Sequence, residues 1–296
     1  MSEEKYLITG AGTGFGKGVA FGLAELGKHV IAGVETLSEV SMIENEAKEK
    51  KISLKVEKLD ITDENDRLRA AEWDVNILFN NAGISLGGSL VDIPEEILRK
   101  QFEINVFGTI FLTQKVVRGM IRKGHGRIVF MTSVHGLIAD PFSGPYCGSK
   151  YALEAFSESL AKELQEFSVE VATINPGPFL TGFNDREFDS WKLWRDNPDE
   201  RIFDYEKLAF PYEQISDPDP VIKESIAVLT GENRSYRNLV PRILEPMVKK
   251  RQNDIWDRKT DEDLGKRHKR IEKSYEMEPG TKVVEGVINR IKDKLT

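Results

Sequence analysis

Short apolar runs alternate with longer stretches of helical spacing from residue 5 to about residue 175. Tyr6-Leu7-Ile8, His29-Val30-Ile31-Ala32 and the run from Leu54 to Leu59 read as strands. So do the runs Val75 to Phe79, Arg127 to Met131 and Val169 to Ile174. Between them, Gly16 to Leu26 and Ile97 to Met120 carry the helical period. Strands and helices in alternation predict parallel strands joined by right-handed crossovers. The apolar runs are too continuous for a sheet with one wet face and suit a sheet covered on both sides. The expected class is therefore α/β, a doubly wound parallel sheet, which takes its ligand at the carboxyl ends of the strands.

The pattern changes near residue 176. From there to about residue 216 the chain is rich in Pro, Asp, Phe and Trp, which suits a substrate-covering lid over about 178–216. Val221 to Leu229 then reads as a helix and Tyr236 to Val240 as a final strand. After Pro241 the chain is highly charged with few apolar anchors. Near its end, Thr281 is placed to cap a helix that sets Val283, Val284, Val287, Ile288 and Ile291 on one face. The expected organisation is one domain over 1–240 and a charged helical extension over 241–296.

Composition narrows the function classes. The net charge of −7 over 296 residues argues against nucleic acid as the main partner. The single cysteine, Cys147, rules out an intrachain disulfide, and His29, His125 and His268 show no metal-ligand spacing, so no metal is expected. No secretory signal follows Met1, and no apolar stretch is long enough to span a bilayer. The expectation is a cytoplasmic protein with no membrane partner.

The first strand runs into Thr9-Gly10-Ala11-Gly12-Thr13-Gly14-Phe15-Gly16, with a helical pattern directly after. Glycines there permit a tight turn and let the backbone approach a pyrophosphate at a helix N-terminus. No Gly-Lys-Ser or Gly-Lys-Thr is present, which speaks against an ATP-type loop. The second strand ends in Ala32-Gly33-Val34-Glu35-Thr36. Glu35 is placed to accept from both ribose hydroxyls and to repel a 2′-phosphate, which favours NAD over NADP. The plainer reading of Glu35 is a solvated loop carboxylate. Asp60, after the third strand, either meets the adenine edge or caps the following turn.

Tyr146 and Lys150 stand at i and i+4 in Tyr146-Cys147-Gly148-Ser149-Lys150, on one face of a helix. A nearby ammonium would lower the tyrosine pKa toward working pH, as a proton donor to a nascent alkoxide needs. Ser133 follows the strand Arg127 to Met131 and can reach a substrate oxygen. Asn80-Asn81-Ala82-Gly83 closes the fourth strand, Asn105 lies inside a long helical segment, and Pro176-Gly177 ends the sixth strand with Thr181 after it.

Together these motifs, in this order, resemble the short-chain dehydrogenase/reductase (SDR) family over roughly residues 5 to 240. The resemblance implies a seven-stranded Rossmann fold and a catalytic tetrad of Asn105, Ser133, Tyr146 and Lys150. It implies that the tyrosine transfers the proton, the serine orients the carbonyl, the lysine also holds the nicotinamide ribose, and the asparagine supports a water linked to the lysine. Gly10, Gly14 and Gly16, with Thr13 and Phe15 between them, match the cofactor loop. Asn81, Ala82 and Gly83 match positions beside the adenosine half; Pro176, Gly177 and Thr181 match positions near the carboxamide. Phe15 replaces the family's isoleucine or leucine, and the acid after strand two is displaced by one residue, with Val34 where many NAD-preferring members carry Asp. The segment from Asp217 to Val240 resembles the retinol- and hydroxysteroid-type branch. A homodimer or homotetramer is the implied assembly.

The expected activity is an NAD(P)-dependent oxidoreductase acting on CH–OH, interconverting a secondary alcohol and a ketone or aldehyde, with a small-molecule substrate that is bulky and apolar if the lid aromatics wall the pocket. The same residues leave open a non-catalytic dinucleotide-binding regulator, or a dehydratase or epimerase on the same fold. Cys147 reads as a packing residue or a nucleophile, and His135 as a pocket or an exposed loop residue. Trp191, Trp194, Phe203 and Phe210 read as a substrate wall or as lid packing. The basic runs ending at Arg251 and Arg270 read as solvated helix faces.

Overall fold

The computed structural model describes residues 4–183, 187, 189–194, 200–209, 213–278 and 283–284. The chain opens with β1 (Lys5–Thr9), α1 (Gly14–Glu25), β2 (His29–Val34), α2 (Leu37–Glu49), β3 (Lys55–Lys58), α3 (Glu64–Ala71) and β4 (Ile77–Asn80). It continues through α4 (Glu95–Phe102), α5 (Thr109–Lys123), β5 (Gly126–Met131), α6 (Gly144–Glu163) and β6 (Val169–Pro176). A short β7 (Glu213–Gln214), α7 (Asp219–Thr230) and β8 (Arg237–Val240) follow, and then α8 (Glu245–Asp257), α9 (Lys269–Glu276) and β9 (Val283–Val284).

Seven strands form one sheet in the order β3-β2-β1-β4-β5-β6-β8, every pair parallel. Side-chain alternation along the strands supplies two cores. Tyr6, Ile8, Val30, Ala32 and Phe79 face one side and meet α1, α2 and α7 through Val19, Leu23, Ile43 and Val221. Leu7, Ile31, Leu78, Ile128 and Phe130 face the other and meet α5 and α6 through Leu112, Val116 and Leu153. Coverage on both faces explains why the strands read as continuous apolar runs.

Strand order reverses between β1 and β4, which opens a crevice at their carboxyl ends. The Thr9 hydroxyl ties this point together. It donates to the Phe79 carbonyl at 3.2 Å and accepts from the amides of Asn81 and Ala82, each at 2.9 Å.

Two expectations are corrected. The single helix predicted over 97–120 is interrupted by a wider, π-type turn at Glu103–Gly108 between α4 and α5. Such widened turns are frequent at functional sites, and this one carries Asn105, whose side chain bonds the Ile84 backbone and the Ser149 hydroxyl. The predicted helix capped by Thr281 is not seen at Val283–Val284, which instead pair as β9, parallel to β7. Two β-branched residues beside an available strand favour that state. The rest of that stretch, Thr281 included, lies outside the described residues, as does Phe210.

Trp191, Trp194 and Phe203 pack rather than wall the cavity, whereas Phe179 and Phe183 of the lid line it. Trp191, Trp194 and Phe203 join Phe142, Tyr205, Leu208, Ile271 and Tyr275 in one cluster that fastens the lid to α9.

Candidate active site

One cavity of about 780 Å³ runs along the carboxyl ends of the strands. Gly10, Thr13, Gly14 and Phe15 line it from the β1–α1 loop, and Asn81, Ala82 and Gly83 from the loop after β4. Glu35 and Asp60 line it from the loops after β2 and β3, and Pro176, Gly177 and Thr181 from beyond β6. Ser133, Tyr146 and Lys150 complete the wall. Gly16 and Asn105 do not line it and stand behind it.

Gly10 has φ +62, and a Cβ on it would lie 2.8 Å from the Ala82 Cα. At Gly16 a Cβ would lie 2.4 Å from both the Asn81 amide nitrogen and the Gly10 carbonyl. These two positions therefore admit only glycine. Asn81 donates to the carbonyls of Thr9 and Gly10 at 2.9 and 3.2 Å, so its amide locks the loop shape. The first turn of α1 holds no acidic residue, and Thr13 caps it without a side-chain bond. Its free amides and positive dipole end thus face the cavity.

Two acids stand beyond β2. Glu35 is exposed at the cavity edge. Glu39 lines it too, and closes a capping box on α2: it accepts from the Thr36 amide at 3.0 Å while the Thr36 hydroxyl accepts from the Glu39 amide at 3.2 Å. Sequence reasoning missed Glu39, although the Thr-x-x-Glu spacing is a readable helix start. Asp60 accepts from the Thr62 amide at 2.8 Å and the Thr62 hydroxyl at 2.7 Å, so it holds its own turn as well as lining the cavity. The cap of α3 is Asp63.

Tyr146 and Lys150 project from the first two turns of α6, and Ser133 follows β5. All three are buried. Ser133 hydrogen-bonds the Tyr146 hydroxyl. The Lys150 ammonium donates to the Met131 carbonyl at 2.8 Å and sits 5.6 Å from the Tyr146 ring centroid. Burial pushes Lys150 down to about 8. The expected lowering of Tyr146 by Lys150 is not met: burial raises the phenol, the Ser133 hydrogen bond offsets part of this, and the Glu187 carboxylate raises it further. With its ammonium turned to Met131, Lys150 does not outweigh desolvation.

Asn105, in the π-type turn, donates to the Ile84 carbonyl at 2.9 Å and to the Ser149 hydroxyl at 3.1 Å, and accepts from the Ile84 amide at 2.8 Å. It joins the loop after β4 to α6. Its Oδ1 lies 3.1 Å from where a Cβ on Gly83 would stand, and the Lys150 nitrogen 3.8 Å from the same point.

His135 lines the cavity, pairs with Asp140 at 3.4 Å and meets the Tyr146 ring edge-on at 6.0 Å. Cys147 is buried, and burial pushes its thiol up to about 12, which suits packing and not nucleophilic attack. Six further charged residues of the wall were not found from sequence: Lys100, Asp140, Glu187, Arg251, Arg270 and Lys273. Glu187 accepts from Ser85 at 2.7 Å across 102 residues of chain, and its other oxygen is buried without a hydrogen-bond partner among the described residues. No local pattern announces such a contact.

The family profile described as short chain dehydrogenase matches residues 4–191. An uncharacterized oxidoreductase, YusZ, of Bacillus subtilis is 38% identical over 192 residues, covering 61% of this chain and 67% of its own. Human retinol dehydrogenase 16 is 35% identical over 237 residues, covering 72% of each chain. Among solved structures, a short chain dehydrogenase/reductase from Burkholderia phymatum in complex with NAD has a TM-score of 0.73 at 21% identity, covering 89% of this chain and 98% of its own. With that match over the strands, glycine loop and tyrosine helix just described, the chain belongs to the short-chain dehydrogenase family.

Proposed function

We propose that this chain is a nicotinamide-dependent oxidoreductase that interconverts a secondary alcohol and a ketone or aldehyde, with Tyr146 as general acid and base. The observation that carries this reading is the convergence of Ser133, Tyr146 and Lys150 on the cavity that the glycine loop also lines. A nicotinamide dinucleotide fits the residues present: the glycines let the β1–α1 loop close against the loop after β4, and the free amides of α1, at the cavity, suit a pyrophosphate. When bound, the nicotinamide supplies or accepts the hydride.

The chain's own residues do the rest. The Ser133 hydroxyl orients the substrate oxygen beside the Tyr146 hydroxyl. Tyr146 is protonated at neutral pH because burial raises its pKa, so it is ready to donate to a developing alkoxide. In the reverse direction it must first lose that proton, so alcohol oxidation rises with pH. Lys150, protonated below about 8, supplies a cation behind the tyrosine and a donor toward the nicotinamide ribose. Asn105 holds the loop after β4 against α6 and so positions Lys150. Glu35 and Glu39 set negative charge where the adenosine ribose would lie, which favours NAD over the 2′-phosphorylated form. We further propose a homodimer or homotetramer through α5 and α6, next to whose faces Phe107, Phe111, Tyr151 and Phe156 stand exposed.

The test is Tyr146→Phe in the full chain, assayed against a panel of alcohols with NAD and ketones with NADH. Turnover is expected to fall by about 10²–10⁴-fold, with dinucleotide affinity kept. Full activity in the variant sinks the reading. Titration with NAD, NADH, NADP and NADPH checks the cofactor: tighter binding of the phosphorylated pair overturns the role given to Glu35 and Glu39.

A further inference from the structure

Part of the cavity wall is built by the C-terminal extension, which lies beyond the residues matched by the family profile. Its helices are fastened to the body at two points. Val248 of α8 packs on Val134, Leu137 and Ile138, and Gln252 donates to the Leu137 carbonyl at 3.1 Å. The Ser274 carbonyl of α9 accepts from the Ala209 amide at 2.8 Å, and Ile271 and Tyr275 join the lid aromatics. The basic runs expected to be solvated helix faces are therefore partly turned inward.

Between these anchors the extension presents Ile243, Leu244 and Met247 to the cavity, then Arg251, Arg270 and Lys273. It contributes three cations and no anion. Asp140 is the counter-charge, bonded by Arg251 at 2.7 Å, by His135 at 3.4 Å and by Arg270. One carboxylate cannot balance three cations. Arg251 keeps a second guanidinium nitrogen, Nη1, that is buried with no hydrogen-bond partner among the described residues. A buried unpaired guanidinium donor costs free energy unless an acceptor arrives. Glu187, the other anion on this side of the cavity, belongs to the reacting end, where its charge acts on Tyr146. So one wall combines proton-handling residues, apolar side chains and a cationic group that is linked to Tyr146 through Asp140 and His135.

We propose that the extension is a part of the substrate site, and that the substrate is an apolar molecule carrying an oxyanion (carboxylate, sulfonate or phosphate) held by Arg251, Arg270 and Lys273. The apolar body lies over Ile243, Leu244 and Met247, and the carbonyl or alcohol reaches Tyr146. The inference rests on the oxidoreductase reading for what happens at the reacting end; the binding of the oxyanion is independent of it.

The test is calorimetric titration of the full chain, with and without NADH, using dodecanoate, dodecane-1-sulfonate, dodecan-1-ol and dodecylammonium below their micellar concentrations. The two anions are expected to bind at least about tenfold tighter than dodecanol. In Lys273→Gln that margin shrinks to about threefold, and in the triple variant Arg251→Gln/Arg270→Gln/Lys273→Gln it is lost. Lys273 has no ion pair among the described residues, so its single variant stays informative even where the Arg270 change loosens the extension. Equal binding of all four probes, tighter binding of dodecylammonium, or an anion margin that survives in both variants overturns the proposal. Tyr146→Phe keeps the anion margin under the proposal, so active Tyr146→Phe enzyme would overturn the oxidoreductase reading alone.

Discussion

Glu187 is the charge in the lid that acts most directly on Tyr146. It is buried, bonded by Ser85 through one oxygen, and raises the pKa of a phenol that burial has already raised. In Glu187→Gln the side chain keeps its shape and can still accept from Ser85, but the charge is gone. The Tyr146 pKa then falls, and the rise of alcohol oxidation with pH moves to lower pH. A pH profile of kcat for the variant checks this; an unmoved profile contradicts the assignment. Legibility at this scale was uneven. Ser133, Tyr146 and Lys150 were readable because local spacing places them on a helix face and a strand end. Glu187 was not, because its partner is 102 residues away and its position follows from how the lid folds back.

At the scale of elements, the π-type turn at Glu103–Gly108 is the part of the scaffold that departs most from regular geometry. It turns Asn105 inward, where three hydrogen bonds join the loop after β4, the helix break and α6. Asn105→Ala leaves the Ile84 amide without its partner, while the Ile84 carbonyl keeps the Gln101 side-chain amide at 2.9 Å. The expected loss is about 1–3 kcal/mol of stability, read by urea unfolding, together with slower turnover because the Lys150 side of the site is less well held. Retained stability would mean the turn holds without its asparagine. The five inner strands were legible as apolar runs, since burial on both faces demands such runs; the edge strands β3 and β8 are more polar and partly exposed. The helix break was not, because apolar spacing continues through it. Val283–Val284 were misread for a related reason: the two residues fit a helical stripe as well as a strand, and the pairing with β7 decided between them.

At the scale of the molecule, two surfaces matter, one that joins parts far apart in sequence and one that is proposed to join chains. The first is the seat of the extension on Asp140. Burial alone would raise this carboxyl, but hydrogen bonds from His135 and Arg251 and the charges of Arg270 and Arg251 outweigh it and hold the pKa well below the ordinary range. A folded pKa below the unfolded value gives stability that is present above about pH 4 and lost as pH falls through the folded value. Asp140→Asn should therefore cost about 1–3 kcal/mol at neutral pH, less than for a fully dry pair because both arginines are partly hydrated. Its stability should also vary less with pH under acid conditions, which thermal unfolding across pH would read. The second surface is the exposed aromatic set near α5 and α6, where Phe107 and Phe111 stack at 6.0 Å. Phe107→Glu with Phe156→Glu should shift the mass seen by light scattering toward that of one chain. An unchanged mass would contradict the proposed assembly through α5 and α6. The extension also separates two tasks along the chain. The proton-handling residues all precede residue 191, and part of the cavity wall is written after residue 240. A tail of different sequence docked on the same Asp140 seat would give the unchanged catalytic body a new range of molecules to act on, which makes this segment the natural place to redesign selectivity without disturbing the chemistry.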